Sequence, residues 1–330
     1  AFCFWKGDME AHWLSHRLIR YYKCNQCCDW CLATCSQNLS ELSWGDLTLR
    51  SLWRATMTMH DNNDPSPWTA VAGFEKKYGL LDVLHLVHLG TLRDLCAGAI
   101  IDTLEEGSLQ KYYGLQGRPF DEVLFAFSHH AHAWAKDNDL ELGIGTLDMG
   151  RLGRPNHLHW PMPQLDSQIK AGRVRTLLAF ITFVMVQLID SNLVPQNKIM
   201  YGKVRACCCW TLDTALSIWN QCKSVAMSPG DVTTASWLCR VHSASYQYLA
   251  VQSLRERRLL WKVRPKSHYF VHFVDFYETT GLSPIHMSAF LDEDFMGKAR
   301  KICLSCHGAT FMKQWARRYV LKRALQWRKK

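Results

Sequence analysis

The sequence predicts an α/β protein in which a large all-α insertion interrupts the sheet, so that the chain is helix-rich overall. Three observations carry that expectation. Two short apolar runs near the beginning each end in an acid: Ala1–Phe2–Cys3–Phe4–Trp5 leads through Lys6–Gly7 to Asp8, and Gly79–Leu80–Leu81 leads to Asp82. Runs of that length read as buried strands. From Leu104 to Trp261, by contrast, apolar residues recur almost wholly at helical spacing. The third observation is size and composition. The 330 residues, 48% hydrophobic and 21% charged, suffice for one large domain or two ordinary ones and exclude a disordered or collagen-like chain.

The elements follow in order. Met9 to Tyr22 has helical character and carries His12 and His16 four residues apart. Ser36 to Pro67 is polar, and Asp61–Asn62–Asn63–Asp64–Pro65 within it is a loop. Trp68 to Tyr78 returns to helical spacing, and Val83 to Leu104 forms a long helix ending near Gly107. Phe120 to Asn138 and Arg173 to Asn192 are further helices, separated by a loop rich in Gly and Pro over 143–163. Arg205 to Lys223 and Val232 to Trp261 are helical as well. Pro265 to Phe273 is apolar and aromatic, Gly281 to Pro284 breaks the chain, and a last helix begins near Asp292. The organisation expected is a first core portion over 1–104, a helical insertion over 105–262, and a return to the core with a basic helix over 263–330. The longest apolar run, Leu177 to Ile189, is too short to span a bilayer and reads as a buried helix. No membrane is expected as a partner, and the N-terminus shows no signal peptide.

Charge is unevenly spread. Residues 298–330 hold eleven Lys and Arg and no acid, so the whole net charge of +10 belongs to that stretch. A basic block of this kind suits a polyanion, and its structural alternative is a solvated helix face. Fourteen cysteines without a secretory signal point to thiols, metal ligands or buried side chains rather than to disulfides. Cys24, Cys27, Cys28, Cys31 and Cys35 crowd twelve residues as overlapping C-x-x-C pairs. That spacing suits a structural Zn²⁺ bound by Cys24, Cys27, Cys28 and Cys31, with His16 or His60 completing a tetrahedral set because adjacent Cys27 and Cys28 do not readily share one ion. Cys207–Cys208–Cys209 reads as core, and Cys303, Cys306 and His307 lack a second ligand pair nearby.

Metal-assisted phosphodiester chemistry needs carboxylates that converge on Mg²⁺ or Mn²⁺ from separate elements. Asp8, Asp82 and the Asp292–Glu293–Asp294 group are candidates, although acids at strand ends and helix starts are also ordinary caps. Their surroundings are more specific. Gly7–Asp8, then the C-x-x-C pairs, then Asp82–Val83–Leu84–His85 continuing to Leu89–Gly90, resemble the DDE transposases of the CACTA-like group. Arg264–Pro265–Lys266–Ser267–His268–Tyr269–Phe270–Val271–His272 is similar to that family's Lys-Pro-Lys-x-His-x-x-x-His segment. Phe290 to Lys298 is similar to the segment bearing its third acid, with Asp292 and Asp294 departing from the pattern beside Glu293.

The resemblance implies a transposon-derived protein with an RNase H-like mixed sheet interrupted by an all-α insertion. It implies metal-dependent DNA cleavage and strand transfer by Asp8, Asp82 and Glu293 around Mg²⁺ or Mn²⁺, with His85 orienting a carboxylate or the phosphate. DNA is then the partner, a homo-oligomer the compatible assembly and the nucleus the location. The expected DNA contacts are Lys298, Arg300, Lys301, Lys313, Arg317, Arg318, Lys322 and Arg323, which follow Glu293 in sequence. A non-catalytic, zinc-stabilised nucleic-acid-binding or scaffolding descendant is the alternative.

Overall fold

A computed structural model of the chain describes residues 5–7, 9–35, 45–47, 66–74, 79–155, 161–289, 301–304, 306 and 310–327. Strand β1 (Trp5–Gly7) leads to helix α1 (Met9–His16), and a 3₁₀ turn at Pro67–Ala70 precedes strand β2 (Gly79–Leu81). A π-helical segment, Leu84–Thr91, runs directly into α2 (Leu92–Glu106). Then come α3 (Ser108–Tyr112), α4 (Phe120–Asp137), α5 (Ala171–Asp190), α6 (Ile199–Gln221), α7 (Pro229–Arg255), α8 (Pro265–Thr280) and α9 (Phe311–Trp327). Residues 1–287 form one compact unit and residues 288–330 another.

The expected RNase H-like mixed sheet is corrected here. The described residues are 64% helical and 3% strand, and among them the strands amount to one parallel pair, with Trp5 across from Gly79 and Gly7 across from Leu81. The apolar and aromatic run from Pro265 forms helix α8. Pro265 occupies its first turn, where a missing N–H costs nothing. Residues 267–277 are all buried, so the stretch reads as a continuous apolar run, which periodicity alone cannot tell from a strand.

The core is therefore a stack of helices. α5 packs along α6, α6 along α7, and α7 along α8, while α8 also meets the π-helical segment and α2 meets α5. Local signals fix several ends. Gly107 takes φ +85° as the left-handed cap of α2. Ser228 caps α7 by accepting the Asp231 N–H at 3.1 Å, with Pro229 in the first turn. Every residue of α2 from Leu92 to Leu104 is buried, including Asp94 and Asp102. Arg205 of α6, itself 1% exposed, bonds Asp102 and Glu106 at 2.8 Å each. Arg258, beyond α7, reaches Asp102 at 2.7 Å and Glu105 at 3.0 Å.

Two helical stretches, Leu84–Glu106 and Ala171–Asp190, are long and apolar enough to cross a membrane. Within this fold their apolar windows are 89% and 50% buried.

Candidate functional site

Two features lie side by side along the start of α8. The first is a buried cluster of Cys28, Cys31, His268 and His272, whose four ligand atoms all lie within 4.8 Å of one another. The cysteines come from the loop after α1, and the histidines from successive turns of α8, where a spacing of four residues puts both on one face. Cys31 Sγ lies 3.2 Å from His268 Nε2, and the Nε2 atoms of the two histidines are 3.0 Å apart. Around a tetrahedral zinc, with bonds of about 2.0 Å to nitrogen and 2.3 Å to sulfur, ligand atoms sit roughly 3.3–3.8 Å apart. The cluster is thus close to the size that one ion requires.

The loop is shaped for thiolates. The Trp30 N–H donates to Cys28 Sγ and the Ala33 N–H to Cys31 Sγ, each at 3.3 Å. Arg20, buried beneath the loop, gathers its carbonyls, donating to Cys28 O at 2.6 Å, Ala33 O at 2.8 Å and Cys31 O at 3.1 Å. Tyr269 of α8 bonds the Asp29 carboxylate. Burial pushes the Cys28 thiol well up. A hydrogen bond from Cys28, and then His268 and His272, hold the Cys31 thiol well below its ordinary value despite its burial. Burial also lowers His272, favouring the neutral imidazole that ligates metals. Two imidazoles and a pair of thiols at this separation suit Zn²⁺.

The cluster corrects the expected zinc set. Cys28 and Cys31 belong to it, while Cys24 is exposed and Cys27, though buried, turns its Sγ toward Ala33 O at 3.7 Å. His16 stacks between His12 and Phe74, at ring separations of 5.5 and 5.4 Å. His60 lies outside the described residues. His268 and His272, the partners of the cysteines, stand in the segment Arg264 to His272 and were not among the expected zinc ligands. Their signal was the His-x-x-x-His spacing itself.

The second feature is a cavity of about 290 Å³ lined by Met9, Glu10, Tyr22, Asp82, His85 and Lys266, among others. Asp82 follows β2, and its side chain is fully buried. One carboxylate oxygen accepts the Leu84 N–H at 3.0 Å, and the other bonds His85 Nδ1. The sequence expected His85 to orient a carboxylate, and the carboxylate it meets is Asp82. His85 sits in the π-helical segment that begins two residues after Asp82, a form that is rare and concentrated at functional sites. Lys266 Nζ donates to His85 O at 2.8 Å. It reaches over Gly90, where a Cβ would come within 2.9 Å of the lysine Cδ. Arg264, beside it, pairs with buried Asp94 at 2.6 Å.

Of the other expected acids, Asp8 and Glu293 lie outside the described residues. Among those described, no carboxylates converge in the manner that Mg²⁺ or Mn²⁺ needs, and the Cys/His cluster is the one group of metal-ligand type. Lys298 and Arg300 also lie outside, while Lys301, Lys313, Arg317 and Arg318 are exposed. Lys322 and Arg323 lie on α9, with side chains outside the description. Cys208 and Cys209 are fully buried core residues. No protein-family model matches the chain, and neither the curated proteins nor the solved structures compared with it yield a match.

Proposed function

We propose that the chain is a zinc-stabilised DNA-processing protein of the DDE transposase kind, which cleaves phosphodiesters at the Asp82 pocket. The observation that carries this reading is the register of β1 and β2. Gly7 lies across from Leu81 on parallel strands, and the next residues in sequence are Asp8 and Asp82. The residues just after Asp8, Met9 and Glu10, line the same cavity as Asp82 and His85. Asp8 and Asp82 would help hold Mg²⁺ or Mn²⁺, and such ions activate the attacking oxygen and stabilise the leaving one. Asp82 would serve as ligand, with His85 fixing the orientation of its carboxylate. DNA is the partner of this reading, the nucleus its compartment and a homo-oligomer its working assembly.

The test is nicking of supercoiled plasmid by the purified chain with Mg²⁺ or Mn²⁺. Activity that Asp82→Asn abolishes, with the zinc content unchanged, supports the reading. A second reading, a non-catalytic DNA-binding or scaffolding protein, is favoured by the complete burial of the Asp82 side chain and the engagement of both its oxygens. Binding of DNA without nicking in either ion would establish that second reading instead.

A further inference from the structure

We propose that the metal held by Cys28, Cys31, His268 and His272 is a clasp that sets the width of the Asp82 pocket, with Tyr22 and Lys266 as the walls it draws together. The inference builds on the reading of that cavity as the working site.

The walls belong to separate pieces of chain. Lys266 stands in the first turn of α8, two residues before His268 and so about 3 Å along the helix axis from it. It is anchored to the floor through His85 O at 2.8 Å, and its neighbour Arg264 through Asp94 at 2.6 Å. Tyr22 belongs to the opposite piece. The Tyr21 N–H bonds Gln26 O at 3.1 Å and the Cys24 N–H bonds Tyr21 O at 2.8 Å. Arg20 ties the same segment to the carbonyls of both cysteine ligands. One wall therefore moves with Cys28 and Cys31, and the other with His268 and His272.

Besides the four ligands, the Tyr269 hydroxyl bonds the Asp29 carboxylate, accepts the Asp29 N–H at 3.3 Å and donates to Cys27 O at 3.5 Å, and the Trp30 ring lies 6.1 Å from His272 and 6.2 Å from Phe276. Those contacts run through one phenol hydroxyl and aromatic surfaces, and so hold no single separation as rigidly as bonds to an ion would. Four coordinate bonds of fixed length define one. Metal coordination thereby converts a loop resting on a helix into a wall at a set distance from Lys266, and His268 and His272 act as positioning residues for the pocket.

The experiment is hydrogen exchange read by mass spectrometry on the full chain, zinc-loaded and after removal of the ion by a chelator. Exchange in peptides covering residues 20–24, 84–90 and 264–268 should accelerate roughly tenfold or more on metal removal, while α5 and α6 stay protected. His272→Cys, which keeps a ligand, should retain the protection, and His272→Ala should lose it in the same three segments. Equal protection with and without metal overturns the proposal. Acceleration that extends equally through α5 and α6 also overturns it, because the ion would then support the whole fold rather than the pocket. Should His272→Ala fail to fold, chelation of the wild-type chain still decides. The readout involves no DNA, so absence of nicking would leave this inference standing, and its failure would leave the nuclease reading standing.

Discussion

His242 shows how far a single buried group can bias the whole chain. It is fully enclosed in α7, with Nδ1 bonding Cys208 O at 2.9 Å, and burial lowers its pKa to about 4 from the ordinary 6.5. A histidine with a depressed folded value binds its proton more readily when unfolded, so stability falls as pH drops from about 6.5 to about 4. The full effect is roughly 3 kcal/mol. Urea titrations across that window should show the decline in wild type and a flatter profile in His242→Gln, which keeps a donor for Cys208. Gly90 makes a steric argument at the same scale. Alanine in a helix interior normally gains about 1 kcal/mol over glycine. Here its methyl would press on the Lys266 side chain. Gly90→Ala should therefore leave the melting temperature unchanged or lower in wild type, and lower it less or raise it in a Lys266→Ala background. Additive effects in that double-mutant cycle would sink the argument.

At the scale of elements, the joint between the Cys-rich loop and α8 governs both the metal and the cavity. Elemental analysis should find one zinc per chain. Cys28→Ser, Cys31→Ser and His268→Ala should each lose it, whereas Cys24→Ser should keep it, and chelation should lower the melting temperature of the wild-type chain. Part of this joint was legible in the sequence. The C-x-x-C spacing marked Cys28 and Cys31, and the Asp82-x-x-His85 spacing marked a carboxylate and an imidazole that meet. The histidine half was not assigned, because His268 lies 237 residues from Cys31 and spacing says nothing about which distant faces meet. The helical form of α8 was hidden for a related reason. A helix buried on every side loses the alternation that distinguishes helix from strand, and Pro265 at its start looks like a break until it is read as a first-turn residue. The C-terminal end of α2, by contrast, followed from Gly107, and Phe120 to Asn138 was read as the helix that forms α4.

For the whole molecule, the interior depends on charges as well as on apolar area. Asp102 has no exposed side-chain surface and serves two arginines. Breaking one partner of such a buried set leaves an uncompensated charge, so Arg205→Met alone should cost about 3–5 kcal/mol in chemical denaturation. A cost under about 1 kcal/mol would mean that the network is not structurally important. The basic stretch makes a separate prediction. Binding to phosphate gives affinity without sequence preference, so neutralising Arg317, Arg318, Lys322 and Arg323 should weaken binding to all duplexes alike. It should also flatten the dependence of log K on log salt by roughly 0.9 for each phosphate that the variant no longer neutralises. Unaltered affinity and slope in the folded variant would make α9 a solvated helix only. The failure of the expected mixed sheet also belongs to this scale. Two three-residue strands were correctly marked by their apolar runs, but the number of further strands was inferred from resemblance. The apolar and aromatic run after Pro265 adds no strand to the pair, because it forms α8.

The order in which the clasp's halves leave the ribosome has its own consequence. At ordinary rates of synthesis, ~12 to 50 s separate the appearance of Cys31 from that of His272. Through that interval the nascent chain offers two thiols that can take up an ion without completing its shell, or be oxidised instead. With zinc as the ion of the clasp, the cell's supply of zinc and of reductant during translation would bear on how much of the protein matures correctly.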